Sequence, residues 1–154
     1  DRWFVVVNPV SGGGKGLGDF PKISHLLREN GIEHDPAFTE HRHHATELTV
    51  EAANRGYRKI IVVGGDGTLN RFVNDTAGHH FPQAILYFPI GTSNAFAADM
   101  GKYAFDNPFC ITEDLKDLPS VEINNKHYRF INGVGFGIDG YSCQIDNEFR
   151  KIQI

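Results

Sequence analysis

The length and composition of the chain suit a small globular protein: its 154 residues are 40% hydrophobic and 22% charged, which is enough for one domain and part of a second. A formal net charge of −4 argues against a nucleic-acid-binding surface. No apolar run approaches the roughly 20 residues of a membrane span and no signal peptide is visible, so we expect neither a transmembrane segment nor secretion.

Strand-like and helix-like segments alternate through the first two thirds of the chain. Residues 3–7 are a continuous apolar run, which is typical of a strand covered on both faces. Residues 59–63, Lys-Ile-Ile-Val-Val, are rich in β-branched side chains and form the strongest strand pattern of the chain. Ile23, Leu26 and Leu27 have the i, i+3, i+4 spacing of an amphipathic helix. In chain order the prediction is a strand at 3–7, a helix around 23–27, a strand at 32–39, a helix at 45–55, a strand at 59–63, a helix at 68–75, a strand at 84–88 and a helix at 92–100. This order predicts an α/β fold with a parallel sheet and helices on both faces.

The character of the sequence changes after Gly101. Residues 108–119 are irregular and partly acidic, which is typical of a linker. Asn124 and Asn125 separate two short strand-like runs and predict a hairpin, and the glycines of 133–137 are typical of a bent strand in an antiparallel sheet. We therefore predict an α/β nucleotide-binding domain over 1–105, a linker over 106–120 and the start of a β-rich second domain over 121–154.

Three predicted loops, at residues 8–16, 64–68 and 89–94, follow strands of the predicted sheet. Ligands of open α/β sheets bind beyond the carboxyl ends of the strands, so these loops should converge. Glycine lets the backbone approach a phosphate, and helix N-termini offer free N–H groups. Thr68 and Thr92 are predicted to begin their helices with hydroxyls directed at this crevice. Any one loop could be an ordinary turn, but three at one edge favour a phosphate-bearing ligand.

Two common phosphate-binding motifs are absent. The Walker A motif needs Ser or Thr after Gly-Lys, but Lys15 is followed by Gly16. The dinucleotide fingerprint needs a third glycine where Leu17 stands. Asp66, set among glycines, could cap the following helix or hold Mg²⁺ through water, and its residue type suits both roles.

The loop sequences resemble those of a known kinase family. Residues 64–68, Gly-Gly-Asp-Gly-Thr, are similar to the signature shared by diacylglycerol, sphingosine and NAD kinases. Residues 8–12, Asn-Pro-Val-Ser-Gly, and residues 89–97 resemble two motifs of the diacylglycerol kinase catalytic domain, which NAD kinases lack. Residues 130–132 and 135–139 resemble the strand entering that family's second domain. Four motifs in the right order make the resemblance specific.

The resemblance implies an enzyme that transfers the γ-phosphoryl group of ATP to a lipid hydroxyl, such as that of diacylglycerol presented at a membrane surface. It implies ATP and Mg²⁺ as cofactors and a cytoplasmic or peripheral-membrane location, and it is compatible with a homodimer. Asp66 and Glu122 would hold magnesium through water. The nucleotide contacts implied by the family are Asn8, Pro9, Val10, Ser11, Gly12, Thr39, Gly65, Asp66, Gly67, Thr68, Leu69, Asn70, Arg71 and Thr92.

The chain departs from the family pattern at two positions. Ala95 stands where an aspartate is usual, and Arg71 stands where an acidic residue is usual. The loss of a carboxylate should weaken ordered Mg²⁺. The family's general base is expected beyond Ile154, since Asp139 and Asp146 come too early, so we expect this chain alone not to catalyse the reaction.

Three other interpretations stay open: a kinase of NAD or a sugar phosphate, a nucleotide-binding relative without catalysis, and a structural domain whose loops bind nothing. The sequence does not identify the lipid acceptor or the oligomeric state. It also does not show whether residues are missing between Gly101 and Pro119.

The eight histidines and two cysteines match no recognised metal-binding or redox spacing. His41, His43 and His44 precede a predicted helix, and we expect them to be solvated side chains at its start. The pair at 79–80 is interpreted in the same way. Cys110 and Cys143 lie far apart in sequence, which is typical of a protein of the reducing cytoplasm.

Overall fold

The computed structural model describes residues 1–79, 81–102 and 107–133. The predicted bent strand around the glycines of 133–137 lies outside these residues from 134 onward, as do Asp139, Cys143 and Asp146. The elements of the described part are β1 (Trp3–Val7), α1 (Ser11–Glu29), β2 (His34–Phe38), α2 (His44–Asn54), β3 (Lys59–Gly64), α3 (Asp66–Asp75), β4 (Ala84–Pro89), α4 (Ala95–Asp99), β5 (Phe109–Cys110), β6 (Ser120–Ile123) and β7 (Lys126–Arg129). They confirm the predicted alternation of strands and helices.

Five strands form one sheet in the order β2-β1-β3-β4-β5. The first four are parallel, as predicted, and β5 is antiparallel to β4. The chain moves from β1 to one side to form β2 and then returns to the other side of β1 to form β3. The loops after β1 and β3 therefore leave the sheet in different directions. In α/β sheets this switch point opens a crevice in which ligands bind.

Both faces of the sheet are buried, which explains the continuous apolar strands. Alternate residues of a strand point to opposite faces. Phe4 and Val6 pack with α2 and α3 on one face, and Val5 and Val7 pack with α1 on the other. Burying one such aliphatic side chain contributes about 1.5–3 kcal/mol. The two apolar layers hold the carboxyl ends of the strands, and hence their loops, at one edge.

The segment predicted as a linker adds a strand to the main sheet. Phe109–Cys110 forms β5, which pairs with Leu86 and Tyr87 of β4. Ile111 is fully buried, and its N–H donates to the Ile85 carbonyl at 2.9 Å. The expectation of an irregular segment is therefore wrong for this strand, because a two-residue strand is too short to produce a period-2 pattern. The division at 105 and 120 stays a prediction.

The hairpin of β6 and β7 confirms the predicted asparagine turn. Asn124 and Asn125 have φ of 51° and 60°, the left-handed conformation that a two-residue type I′ turn requires. The hairpin is attached to α3, because the Asn74 side chain donates to the Arg129 carbonyl and accepts its N–H, both at 2.8 Å. An antiparallel second sheet thus begins beside α3.

None of the helices in the described part of the chain combines the length and apolar character that a membrane span requires.

Asp35 on the edge strand β2 makes one contribution to stability that depends on pH. A hydrogen bond from Arg2, followed by one from the Tyr57 hydroxyl at 2.7 Å, lowers the pKa of Asp35 from 3.8 to about 2. A lowered carboxyl pKa stabilises the fold above about pH 4, and this stabilisation is lost as the pH falls towards 2. We expect Asp35→Asn to lower the free energy of unfolding modestly at pH 7, since Arg2 is half exposed.

Urea denaturation at pH 7, 4 and 2.5 tests this expectation. The difference between wild type and Asp35→Asn should shrink between pH 4 and 2.5. Glu33→Gln is the control, because the Glu33 carboxylate lies 3.9 Å from Arg2 at the surface and should matter little. A wild-type–Asp35→Asn difference that is constant with pH would contradict the assignment.

Candidate functional site

The loop after β1 is joined to α3 by side-chain hydrogen bonds. Asn8 Nδ2 donates to Thr68 Oγ1 at 2.7 Å, and Ser11 Oγ lies 3.1 Å from the same hydroxyl. The Gly65 N–H donates to Ser11 Oγ at 3.3 Å. The Asn8 side chain also accepts the Val10 N–H at 3.2 Å, which shapes its own loop. The predicted convergence of the first two loops is present.

Asp66 joins the loop after β3 to α4. Its Oδ2 accepts the Ala95 N–H at 2.8 Å and its Oδ1 accepts the Phe96 N–H at 3.0 Å. The first N–H groups of a helix have no partner within the helix, so this carboxylate caps α4. Of the two roles left open for Asp66, capping of the helix that follows it in sequence is not what the structure shows, because its oxygens reach a helix 29 residues further along the chain.

The loop after β4 is closed on itself before α4 begins. The Gly91 N–H donates to Asn94 Oδ1 at 2.7 Å, and Asn94 Nδ2 donates to the Gly91 carbonyl at 3.1 Å. Asn94 is left-handed, with φ of 50°, so the helix cannot extend back through it. The prediction that Thr92 begins the helix is therefore wrong. Thr92 is an exposed loop residue at the same edge of the sheet.

Glycines let these loops touch through their backbones. A Cβ on Gly91 would lie 2.7 Å from Gly65 Cα, and a Cβ on Gly16 would lie 1.9 Å from the Asn8 carbonyl oxygen. Gly12 has φ of +61° and approaches the Ile90 carbonyl. Packing between the loops thus accounts for several glycines without any ligand.

Gly91→Ala should therefore lower the free energy of unfolding by about 1–3 kcal/mol, because backbone atoms must shift to admit the methyl group. Gly18→Ala is the matched control, since a Cβ on this α1 residue meets no atom within 4 Å. That control should be neutral or stabilising by about 0.5–1 kcal/mol. Thermal denaturation of both variants measures the difference, and equal stability of the two would contradict the close contact.

A cavity of about 750 Å³ opens beside the joined loops. Its volume lies within the usual range of about 300–1,000 Å³ for small-molecule sites. Six of the predicted nucleotide-contacting residues line it: Asn8, Pro9, Val10, Thr39, Thr68 and Arg71. The other lining residues are Glu40, His41, Arg42, His43, Ala45, Phe72 and Asp75.

The wall formed by residues 40–43 and Asp75 was not among the predicted contacts. A signal for the first part was present, because the segment after β2 leaves the same edge of the sheet as the loop after β1. His43 in this wall is left-handed, with φ of 72°, and its Nδ1 lies 2.7 Å from Asp75 Oδ2. This pair connects the start of α2 to the end of α3 across the cavity wall.

The other predicted residues occupy different places. Ser11, Gly12 and Gly65 take part in the contacts between loops. Leu69 is fully buried in the core, so only its backbone is available to a ligand. Asp66, Gly67 and Asn70 line a second cavity of about 360 Å³ between α3 and the hairpin.

The structure does not bring Glu122 to Asp66. The second cavity is lined by Val121 and Ile123 but not by Glu122, because alternate strand residues point to opposite faces. The Glu122 carboxylate instead lies 3.7 Å from His127 Nε2, on an exposed face. Joint binding of magnesium by these two carboxylates stays a prediction that the geometry does not support.

Tyr87 of the neighbouring strand β4 holds the end of β3 in place. Its hydroxyl donates to the Gly64 carbonyl at 3.0 Å. Burial raises the pKa of Tyr87 well above its ordinary value, and the charge of Asp66 raises it further. Tyr87 therefore remains a hydrogen-bond donor at all physiological pH values and holds the backbone just before Asp66.

Comparisons with known proteins identify the family to which the chain is similar. Residues 2–117 match the family model described as the diacylglycerol kinase catalytic domain. A diacylglycerol kinase of Bacillus subtilis (strain 168) is 32% identical over 135 residues, which cover 88% of this chain and 39% of that protein. Human sphingosine kinase 1 is 32% identical over 112 residues, which cover 67% of this chain and 28% of that protein.

The fold is shared with a solved structure. The crystal structure of a diacylglycerol kinase from Bacillus anthracis strain Sterne has a TM-score of 0.59, at 24% identity, over 82% of this chain and 48% of that chain. The chain thus spans less than half the length of each of these three proteins. Because the family model matches most of the chain, including the loops after β1, β3 and β4, the chain belongs to the diacylglycerol kinase catalytic domain family.

Proposed function

We propose that this chain is the nucleotide-binding part of a lipid kinase that transfers the γ-phosphoryl group of ATP to a lipid hydroxyl. The observation that carries the proposal is the convergence of Asn8, Ser11 and Thr68 at the switch point of the sheet, beside the 750 Å³ cavity. Membership of the family supports the same reading. Diacylglycerol is the acceptor that the family's name suggests.

The cavity offers suitable chemistry for ATP. Arg42 and Arg71 supply positive charge for phosphate oxygens, and Phe72 and Ala45 supply apolar surface for a base. Thr39 directly follows β2, and its N–H donates to the Val7 carbonyl at 2.9 Å, which holds the residue at the cavity wall. Arg71 thus supplies a positive charge to the cavity at a position where the family usually has an acidic residue.

The residues present also fit a magnesium ion, although with fewer charges than the family pattern. Each Asp66 oxygen accepts one N–H, and an ionised carboxylate retains further lone pairs. Asp66 shares the second cavity with Asn70 and Asn132, and carboxylate and amide oxygens are suitable ligands for Mg²⁺ or its waters. Bound magnesium would neutralise phosphate charge during transfer. Ala95 contributes no second carboxylate.

The general base and the lipid-facing surface are proposed to lie beyond residue 154. Asp139 and Asp146, which come too early in sequence to match the family's base, fall outside the described residues. We therefore expect this chain alone to bind ATP without phosphorylating a lipid. Membrane association and a homodimer likewise remain proposals for the whole protein.

The test is a phosphorylation assay on the full-length protein that contains this chain. With ATP, Mg²⁺ and diacylglycerol in mixed micelles, labelled phosphate should appear in the lipid, and none should appear in NAD. Transfer to NAD alone would favour the NAD-kinase alternative. ATP binding without turnover on any acceptor would favour a non-catalytic relative, which the missing carboxylate at Ala95 makes the second candidate.

A further inference from the structure

Three side chains with nitrogen or oxygen ligand atoms meet at the start of α2. One ligand atom from each of His41, His44 and Glu47 lies within 4.8 Å of the others. His41 Nε2 and Glu47 Oε2 are 3.4 Å apart. Two ligands of a tetrahedral zinc ion, each about 2.0–2.2 Å from it, are themselves about 3.3–3.5 Å apart. This pair therefore already has the separation that a shared ion requires.

The backbone places the three residues on one side of the helix start. His44 and Glu47 are three residues apart on α2, so they share a face. His41 lies three residues before His44, and the His44 N–H donates to the His41 carbonyl at 3.3 Å. The two imidazole rings stack, with centroids 4.4 Å apart and planes at 9°, so one ring must turn before both can direct an in-plane lone pair at the same ion.

Hydrogen bonds decide which ring nitrogens are available. His41 Nδ1 lies 2.8 Å from the Arg42 carbonyl, which can only accept, so Nδ1 carries a proton and, in the neutral ring, Nε2 presents a lone pair. A backbone carbonyl on the second nitrogen is the usual support of a metal-binding histidine. His44 Nδ1 accepts the Glu40 N–H at 3.0 Å, so this ring must give up that bond to bind through Nε2.

The neighbouring histidine has a different partner. His43 pairs with Asp75, as described above, and is not part of the group. Two other exposed histidine–carboxylate pairs, His25–Glu29 at 3.3 Å and His127–Glu122 at 3.7 Å, have similar separations. Within the described ranges, only the group at the start of α2 adds a third ligand to such a pair.

We propose that His41, His44 and Glu47 form a binding site for a zinc-class divalent cation, with a fourth position open to water or to another ligand. Two imidazoles and one carboxylate are a ligand set that suits zinc. The site goes beyond the proposed nucleotide binding and does not depend on it. Because His41 also lines the 750 Å³ cavity, the ion would hold one cavity wall against α2.

Calorimetric titration of the chain with Zn²⁺ tests the site directly, with ATP and magnesium left out. We expect one saturable equivalent, weakened more than about tenfold by His41→Ala and also by Glu47→Gln. His25→Ala is the matched control, because it removes an exposed histidine that is paired with a glutamate at a similar separation but without a third ligand. Its zinc affinity should equal that of wild type. Circular dichroism verifies that each variant is folded.

Substitution with Co²⁺ provides a second readout, because a tetrahedral site with nitrogen and oxygen ligands has intense visible absorption. Wild type and His25→Ala should both develop these bands at one equivalent, and His41→Ala should not. Absence of saturable binding to wild type, or an equal loss of affinity in His25→Ala and His41→Ala, would overturn the proposal. Neither result would affect the assignment of the nucleotide cavity.

Discussion

Asp66→Ala is expected to lower kcat of the full-length protein by at least about a hundredfold and to destabilise the fold. The first effect follows from the proposed role of Asp66 in holding magnesium near the phosphates. The second follows from its two hydrogen bonds to Ala95 and Phe96, since loss of a helix cap costs about 0.5–2 kcal/mol. Kinase assays and urea denaturation measure the two effects separately.

Asp66→Asn separates capping from chemistry. The asparagine oxygen can still accept one of the two N–H groups, so about half of the lost stability should return. The side chain is neutral, however, and should hold magnesium poorly, so activity should remain as low as in Asp66→Ala. If Asp66→Asn has wild-type kcat, Asp66 serves only as the cap of α4.

Thr68→Val should weaken ATP binding by about tenfold to a hundredfold. Valine keeps the shape of threonine but removes the hydroxyl that accepts from Asn8 Nδ2 and lies beside Ser11 Oγ. Leaving a partly buried donor without a partner costs about 1–3 kcal/mol, and each 1.4 kcal/mol is tenfold in affinity. The loop after β1 should then lose its position at the cavity wall.

Thr76→Val is the matched control for Thr68→Val. Thr76 follows α3 directly, and its buried hydroxyl donates to the Phe72 carbonyl at 2.7 Å, but it does not line the cavity. Both variants should lose some stability, and only Thr68→Val should lose ATP affinity. A similar loss of ATP affinity in both would mean that the hydroxyl of Thr68 acts through the stability of α3.

Much of the fold follows from local sequence signals. Residues 3–7 and 60–63 form buried stretches of strand because a parallel sheet is covered on both faces and so favours apolar side chains at successive positions. The turn at Asn124 and Asn125 is equally local, since asparagine tolerates the left-handed conformation that joins two short strands. The convergence of the loops after β1 and β3 follows from the same topology.

The features that the sequence did not reveal depend on distant contacts. Asp66 caps α4 because the sheet brings the ends of β3 and β4 together, and nothing next to Asp66 in sequence indicates that partner. The late start of α4 comes from the bonds between Gly91 and Asn94, which replace the threonine cap that the residue type suggested. The position of Glu122 depends on the hairpin register, which places Val121 and Ile123 on the inner face.

The structure shows what Ala95 contributes to the site in place of the family's aspartate. The Ala95 N–H donates a hydrogen bond to Asp66, so the backbone of Ala95 is part of the site even though its side chain has no carboxylate. Its position should therefore be retained, while the proposed magnesium site has one negative charge fewer than in the family pattern. Ala95→Asp in the full-length protein should raise kcat or lower the magnesium concentration needed for half-maximal activity. An unchanged magnesium dependence would indicate that the lost charge is compensated elsewhere.

The most direct test of the account is calorimetric titration of this chain with ATP in the presence of Mg²⁺. We predict saturable binding with one nucleotide per chain, weakened in Thr68→Val and retained in Thr76→Val. A titration of the folded wild-type chain that shows no binding would contradict the assignment of the cavity beside Asn8, Ser11 and Thr68 as a nucleotide site.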